Sequence, residues 1–371
     1  MKLVFAGGGT GGHLYPALAI AQSWKESHPN DEILFVGTPR GIENTVVPKY
    51  GFPLYLLPVE GIPRKVSWET LKKLFLVPKS LINAFIFLKK EKPDIVVGTG
   101  GYASFPVVFA ATVLKIPTVI HEQNAYPGIA NKILAARVDA VCLTFGEAKK
   151  RMKAKNLYET GLPVRREFFT NAANRNELRK KMGVGKDELL LVAFGGSQGA
   201  LTINKVVGYL LPEIMLRPNL RLVWATGPRN YENLKQKYKN LPERVQMVPY
   251  IDNMPEVLPA ADLAITRAGA ATLAEIAASK VPAVLIPYPY AAENHQEHNA
   301  RAFVSHGAAV LLRDAECSED RVKATILPLL DSPEKLVKMA ENAGKVLRRD
   351  SLKEITGIME ALLKPKSNKK T

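Results

Sequence analysis

Residues 2–13 read KLVFAGGGTGGH, an apolar run that passes directly into a glycine-rich turn and ends on a histidine. A short β-branched and aromatic run bounded by glycine reads as a buried strand, and a turn of this kind opens the helix that follows it. The same unit recurs along the chain. EILFVG (32–37), DIVVG (94–98) and PTVIH (117–121) alternate with longer amphipathic segments. The rhythm restarts at LLLVAFGG (189–196), RLVWATG (221–227), VQMVPY (245–250) and DLAIT (262–266). Strands alternating with helices predict an α/β fold with parallel sheets, and two sets of them predict two such domains. The stretch GLPVRREFF (161–169) has the turn residues and charge of a hinge, which puts the boundary near Pro163 and separates 1–163 from 164–344. A ligand is expected in the cleft between the domains.

Length and composition agree with this division. A chain of 371 residues exceeds the usual size of one domain, and 47% hydrophobic with 23% charged residues is the balance of an ordered globular protein. Lys and Arg number 51 against 35 Asp and Glu, a net charge of +16 that attracts polyanions without choosing among nucleic acid, anionic lipid and phosphorylated substrate. The two cysteines, Cys142 and Cys317, lack metal-ligand spacing and read as reduced thiols. The apolar run after Met1 is too short for a signal peptide. LFLVPKSLINAFIFL (74–88) is broken by Pro78 and Lys79 and falls short of the roughly 20 residues that span a bilayer.

Three glycine-rich turns, GGTGGH (8–13), GTGGY (98–102) and GGSQGA (195–200), each lie between a predicted strand and a predicted helix. Glycine lets backbone approach a phosphate closely, and a helix N-terminus offers it free N–H groups and positive dipole. Gly7, Gly9 and Gly12 also satisfy the dinucleotide spacing G-x-G-x-x-G. Gly37 and Thr38 stand at the end of the second strand, where a dinucleotide site needs an acidic residue for its ribose, so the nicotinamide and flavin reading is set aside. His13, just past the first turn, is a candidate general base, because a neutral imidazole accepts a hydroxyl proton near neutral pH.

TRAGAATLAEIAASKVPAVLIP (266–287) runs through a glycine turn into a helix that carries Glu275 in an early turn. That carboxylate can serve the helix dipole or accept two ribose hydroxyls. In PYPYAAENHQEHNA (287–300), His295 and His298 lie beside Glu293 and Glu297; no third ligand is well placed, so a sugar-contact loop is preferred to a metal site. Residues 64–92 hold eight Lys or Arg, two Glu and many large apolar residues. Trp68, Leu71, Lys72, Lys73, Phe75 and Leu76 form the candidate membrane contact.

GGTGGH, GTGGY with HEQNAYPG (121–128), GGSQGA, and AGAATLAEIAA followed by NHQEHNA resemble the MurG family in order and spacing across nearly the whole chain. The resemblance implies two Rossmann-like parallel-sheet domains facing across a cleft, the GT-B glycosyltransferase fold, with a C-terminal helix at about 345–363 returning to the first domain. It implies inverting transfer of N-acetylglucosamine from UDP-N-acetylglucosamine to the muramyl 4-hydroxyl of lipid I, giving lipid II at the cytoplasmic face of the bacterial membrane. The first domain is then the acceptor- and membrane-binding one and the second binds the donor. Carried over residue by residue, the donor contacts are Thr10, Gly11, Gly12, Asn124, Arg165, Ser197, Ile251, Ala270, Ala271, Thr272, Leu273, Ala274, Glu275 and Gln296. Ser197 suits a diphosphate, Ile251 the uracil, Glu275 the ribose and Gln296 the sugar hydroxyls. His295 stands where some relatives have Gln. The expected mechanism is direct displacement, with His13 as base, a helix beginning near Ser197 stabilising the departing diphosphate, and no obligatory metal, magnesium being at most a stimulant. The partners implied are the UDP-sugar, lipid I and an anionic membrane surface, and no nucleic acid.

Overall fold

The computed structural model describes residues 1–59, 76–196, 198–291, 294–346 and 351–364. The chain forms two compact units, the first ending at Val164 and the second beginning at Arg165. In the first, the order is β1 (Lys2–Gly7), α1 (Gly11–Ser27), β2 (Glu32–Gly37), α2 (Glu43–Lys49), β3 (Leu54–Leu56), α3 (Leu76–Glu91), β4 (Ile95–Gly100), α4 (Ser104–Val113), β5 (Thr118–Glu122), α5 (Ile129–Ala135), β6 (Ala140–Leu143) and β7 (Leu157–Glu159). All seven strands are parallel, in the order β3-β2-β1-β4-β5-β6-β7. Strand order therefore reverses between β1 and β4. In an open α/β sheet the crevice at the carboxyl ends of such a pair is where ligands bind.

β1 shows why the sheet is covered on both faces. Leu3 and Phe5 join a core with Leu14, Leu18, Trp24 and Phe35, while Val4 and Ala6 join another with Phe87, Val107 and Ile120. A strand buried on both sides reads as a continuous apolar run rather than an alternation.

The second unit contains α6 (Arg166–Ala173), α7 (Arg175–Lys181), β8 (Leu189–Phe194), α8 (Leu201–Leu216), β9 (Leu220–Ala225), α9 (Pro228–Lys237), β10 (Val245–Val248), α10 (Met254–Ala260), β11 (Leu263–Thr266), α11 (Ala270–Ser279), β12 (Ala283–Leu285), α12 (His295–Ser305), β13 (Ala309–Leu311), α13 (Glu319–Leu330) and α14 (Pro333–Val346). Its six strands are also parallel, in the order β10-β9-β8-β11-β12-β13, with the reversal between β8 and β11.

The last helix, α15 (Ser351–Leu363), belongs to the first unit. Ile355 and Met359, one turn apart, are fully buried in the core that holds Leu14, Leu18 and Trp24 of α1. The Ser351 hydroxyl donates to the Leu162 carbonyl at 3.0 Å. Burying two such side chains contributes about 1.5–3 kcal/mol each, which anchors the chain end to the unit where it began.

Candidate active site

Each unit brings its two glycine turns together at the point where strand order reverses. In the first unit GGTGGH follows β1 and GTGGY ends β4. His13 is the third residue of α1, half-buried, with Nδ1 3.0 Å from the Thr99 carbonyl oxygen. A carbonyl can only accept, so this contact assigns the proton to Nδ1 and leaves the Nε2 lone pair free to take a proton. The arrangement is held from both sides. The Thr99 hydroxyl donates to the His13 carbonyl at 2.8 Å, and Gln123 Nε2 donates to the Thr99 carbonyl at 2.7 Å. Gly100 has φ +94°, and a Cβ there would stand 2.6 Å from His13 Nδ1, so the second turn needs glycine to leave room for the imidazole.

The loop after β5 carries Asn124. Glu122, buried at its base, accepts from Asn124 N–H (3.0 Å), Asn124 Nδ2 (3.2 Å), Gly128 N–H (3.1 Å) and Asn131 Nδ2 (2.8 Å). One carboxylate thus fixes the loop from 124 to 131. His121 is fully buried with Nε2 2.9 Å from the Gly161 carbonyl, and burial pushes its pKa down to about 4. Thr10 and Gly12 are exposed and Gly11 is half-buried; no side chain caps α1, so the N–H groups of Gly11 and Gly12 are left for an anion.

In the second unit α8 begins at Leu201, four residues beyond the start expected near Ser197. The delay has a cause in the turn itself. Gly199 has φ +75°, and a Cβ on it would lie 2.4 Å from the Thr226 carbonyl, so the chain packs against the loop after β9 before it can coil. Ser197 lies outside the described residues. α11 starts at Ala270 after an extended Gly269, again with no side-chain cap, which leaves the N–H groups of Ala270, Ala271 and Thr272 as anion donors. Leu273 and Ala274 are buried.

Glu275 is the sixth residue of α11, in an early turn as expected, and its partner is a cation rather than the helix dipole. Arg165 Nη2 donates to Glu275 Oε1 at 3.0 Å, and its guanidinium lies 4.9 Å from the Phe168 ring centre. Burial raises the Glu275 pKa, and Arg165 opposes the rise. Gln296 Oε1 accepts from the N–H groups of Ala268 (3.2 Å) and Tyr288 (3.0 Å), pinning two loops and leaving its NH2 for other acceptors. Ile251 is buried, 4% exposed.

Glu297 is bound by Asn294, Arg301 and Arg313, which hold its carboxylate down at about 2. The candidate membrane residues Trp68, Leu71, Lys72, Lys73 and Phe75 lie outside the described residues, as does the side chain of Leu76. Both cysteines are buried, with thiols pushed up to about 12 at Cys142 and about 11 at Cys317, so neither is a ready nucleophile.

Sequence reasoning did not single out Thr99, Glu122 or Arg267. The Arg267 guanidinium donates to the carbonyls of Ile286 and Pro287, both at 3.0 Å, and pairs with Asp314, tying the end of β11 to the loops beside it. Thr99 and Glu122 stood inside quoted motifs, but their roles depend on partners elsewhere in the chain. Two cavities lie away from these turns. Cavities of about 880 Å³ and 1380 Å³ open at the amino ends of the strands in the first and second unit, and neither is lined by a glycine-turn residue.

Two family models match this chain, the Glycosyltransferase family 28 N-terminal domain over residues 3–143 and the Glycosyltransferase family 28 C-terminal domain over 190–355. A UDP-N-acetylglucosamine–N-acetylmuramyl-(pentapeptide) pyrophosphoryl-undecaprenol N-acetylglucosamine transferase of Moorella thermoacetica is 42% identical over 97% of this chain and 98% of its own length. The crystal structure of Acinetobacter baumannii MurG aligns with a TM-score of 0.73 and 26% identity, over 97% of this chain and 99% of that one. A putative UDP-N-acetylglucosamine 2-epimerase of Listeria monocytogenes reaches a TM-score of 0.72 at 13% identity, over 98% of this chain and 96% of that one, and shares the fold alone. Full-length identity to such transferases, on two parallel-sheet units of the GT-B type, places the chain: it belongs to the MurG family of UDP-N-acetylglucosamine-dependent glycosyltransferases.

Proposed function

We propose that this chain transfers N-acetylglucosamine from UDP-N-acetylglucosamine to the muramyl 4-hydroxyl of lipid I with inversion, forming lipid II for peptidoglycan. The observation that carries the chemistry is the His13 contact with the Thr99 carbonyl, which presents Nε2 as a proton acceptor. His13 takes the proton of the acceptor hydroxyl as that oxygen displaces UDP from the anomeric carbon. The second unit holds the donor. Glu275, kept in place by Arg165, accepts the ribose hydroxyls, while the N-termini of α8 and α11 face the diphosphate and offset the charge that builds on it as the bond breaks. Gln296 offers its NH2 to the sugar, and in the first unit Asn124 stands on the loop that Glu122 clamps. With these donors the transfer needs no obligatory metal, and added magnesium stimulates at most.

The chain works as a peripheral protein on the cytoplasmic face of the membrane. Among the described residues no helix is long and apolar enough to cross a bilayer. α3 exposes Ile82 (58%) and Ile86 (61%) one turn apart, among exposed Lys79, Lys89 and Lys90, a surface suited to anionic headgroups. No nucleic-acid partner is invoked.

The test is transfer of labelled sugar from UDP-N-acetylglucosamine to a lipid I analogue, with UDP release followed in EDTA and in magnesium. Transfer in EDTA supports both the reaction and its metal independence. Tight UDP binding with no transfer in either condition removes lipid I as the acceptor. Co-sedimentation with anionic but not neutral vesicles, weakened in Ile82→Ser/Ile86→Ser, tests the surface.

A further inference from the structure

Glu43 opens α2, and its side chain is fully buried (0% exposed). One carboxylate oxygen accepts from the Gly9 N–H at 2.7 Å. The other accepts from the Thr38 N–H at 2.7 Å and the Thr38 hydroxyl at 2.9 Å. Among the described residues no lysine or arginine pairs with it. A buried carboxylate without a cation is tolerable only where fixed donors replace its water, and here the donors are the backbone of the first glycine turn and the end of β2.

Three glycines from three segments make the space. A Cβ at Gly8 would stand 2.5 Å from the carboxyl carbon, at Gly37 2.3 Å from Cγ, and at Gly41 2.0 Å from Oε2. Gly37 occupies the strand end where a dinucleotide site would carry its acidic residue. The acid is instead supplied six positions later and turned back into the glycine loop, so the inner N–H of that loop is already taken.

We propose that Glu43 is the built-in hydrogen-bond acceptor of the first glycine turn: it fills the place of a ligand phosphate at Gly9 and is the positioning residue that fixes the backbone from which His13 meets the acceptor. Gly9 lies four residues before His13, and the intervening turn contains three glycine positions, Gly9, Gly11 and Gly12, with little stiffness of its own. The carboxylate supplies that stiffness. This role rests on His13 being the base of the transfer described above.

Wild type, Glu43→Gln, Glu43→Ala and Gly41→Ala are compared by transfer kinetics, calorimetric UDP binding and thermal melting. A misplaced reacting group lowers kcat, so Glu43→Gln should lose about ten- to hundred-fold in kcat with UDP affinity changed by less than about twofold. Glu43→Ala should lose at least as much and regain part of it on addition of formate, with chloride ineffective. Gly41→Ala keeps the carboxyl group but crowds it, and should show the same kcat-only loss even where the Glu43 variants fail to fold. A folded Glu43→Gln with unchanged kcat overturns the role, as does a kcat loss matched by an equal loss of UDP affinity. An indifferent Glu43→Gln in an active enzyme removes the role alone, whereas a wild type without transfer removes the reaction and the role with it.

Discussion

The two units repeat one device and use it differently. Both place a glycine turn after the first strand of a parallel sheet and a second turn across the strand-order reversal. In the first unit the turn is filled from within by the Glu43 carboxylate, and the neighbouring turn braces a histidine through Thr99. In the second unit no carboxylate is hydrogen-bonded to the described residues of the turn at 195–200, α8 and α11 start without side-chain caps, and the buried acid of the site is paired with Arg165. If Glu43 and His13 act as proposed, glycine-rich turns need not all bind phosphate. One is then a rigid mount for a proton acceptor, while its counterpart serves a diphosphate.

The comparison breaks most visibly at His13. His13→Ala should lower kcat by about 10²–10⁴-fold, the usual contribution of a general base, and leave UDP binding intact because the ribose and diphosphate contacts proposed above lie in the second unit. Saturating steady-state kinetics with calorimetry of UDP checks both halves. Turnover close to wild type would remove the proton-accepting role from the first unit.

A second test separates the stabilities of the units. His121 has its folded pKa lowered to about 4 from an ordinary 6.5, so between those values the unfolded chain binds more protons than the folded one. Stability is full above pH 6.5 and declines by about 3 kcal/mol as the pH falls to about 4. Because His121 belongs to the first unit, the loss should appear in that unit's melting transition and be flattened in His121→Phe. Calorimetric melts from pH 7 to 4.5 in which wild type and variant decline in parallel would contradict it.

The donor side is probed at Arg165. In Arg165→Met, Glu275 loses the cation that opposes its raised pKa and takes up a proton at higher pH. A hydrogen bond to a charged group contributes about 1.5–3 kcal/mol, so donor KM at neutral pH should rise roughly ten- to hundred-fold. The sign with pH follows. Donor affinity is highest where Glu275 is ionised, falls as pH drops through its raised pKa, and falls earlier in the variant. A KM profile with the same pH dependence in both proteins would separate Glu275 from the ribose.

The smallest effect is expected at Thr38→Val, which removes one of the three hydrogen bonds to Glu43 and keeps the N–H. A loss of about 1 kcal/mol of restraint corresponds to roughly fivefold in kcat with donor KM unchanged. A larger change in donor KM than in kcat would tie the first turn to the donor, as the family resemblance implies for Thr10, Gly11 and Gly12.

Much of the fold was legible because its signals are local. β1, β2, β8 and β9 are apolar runs of six residues next to glycine turns, and the sequence pattern locates them within two residues. β3, β7 and β13 span three residues each, too short to show any periodicity, and they exist because a neighbouring strand offers its free edge. In the site, His13 was legible from its place after a strand and a turn. Glu122 stood in a quoted motif without a role, and Glu43 drew no notice, since a lone glutamate early in a helix is commonplace.

The amino-acid sequence by itself determined the two parallel α/β units, the glycine turns, the histidine at the start of α1 and the family. These rest on the order of apolar runs and on residues adjacent in the chain. Tertiary structure alone decided that Thr99 sets the tautomer of His13, that Glu43 closes the first turn from 34 residues away, and that Arg165 meets Glu275 across 110 residues. The reason is the range of the forces. Strand and turn preferences act between neighbours in sequence, whereas a buried charge takes its partner from whatever the folded sheet brings within hydrogen-bonding distance.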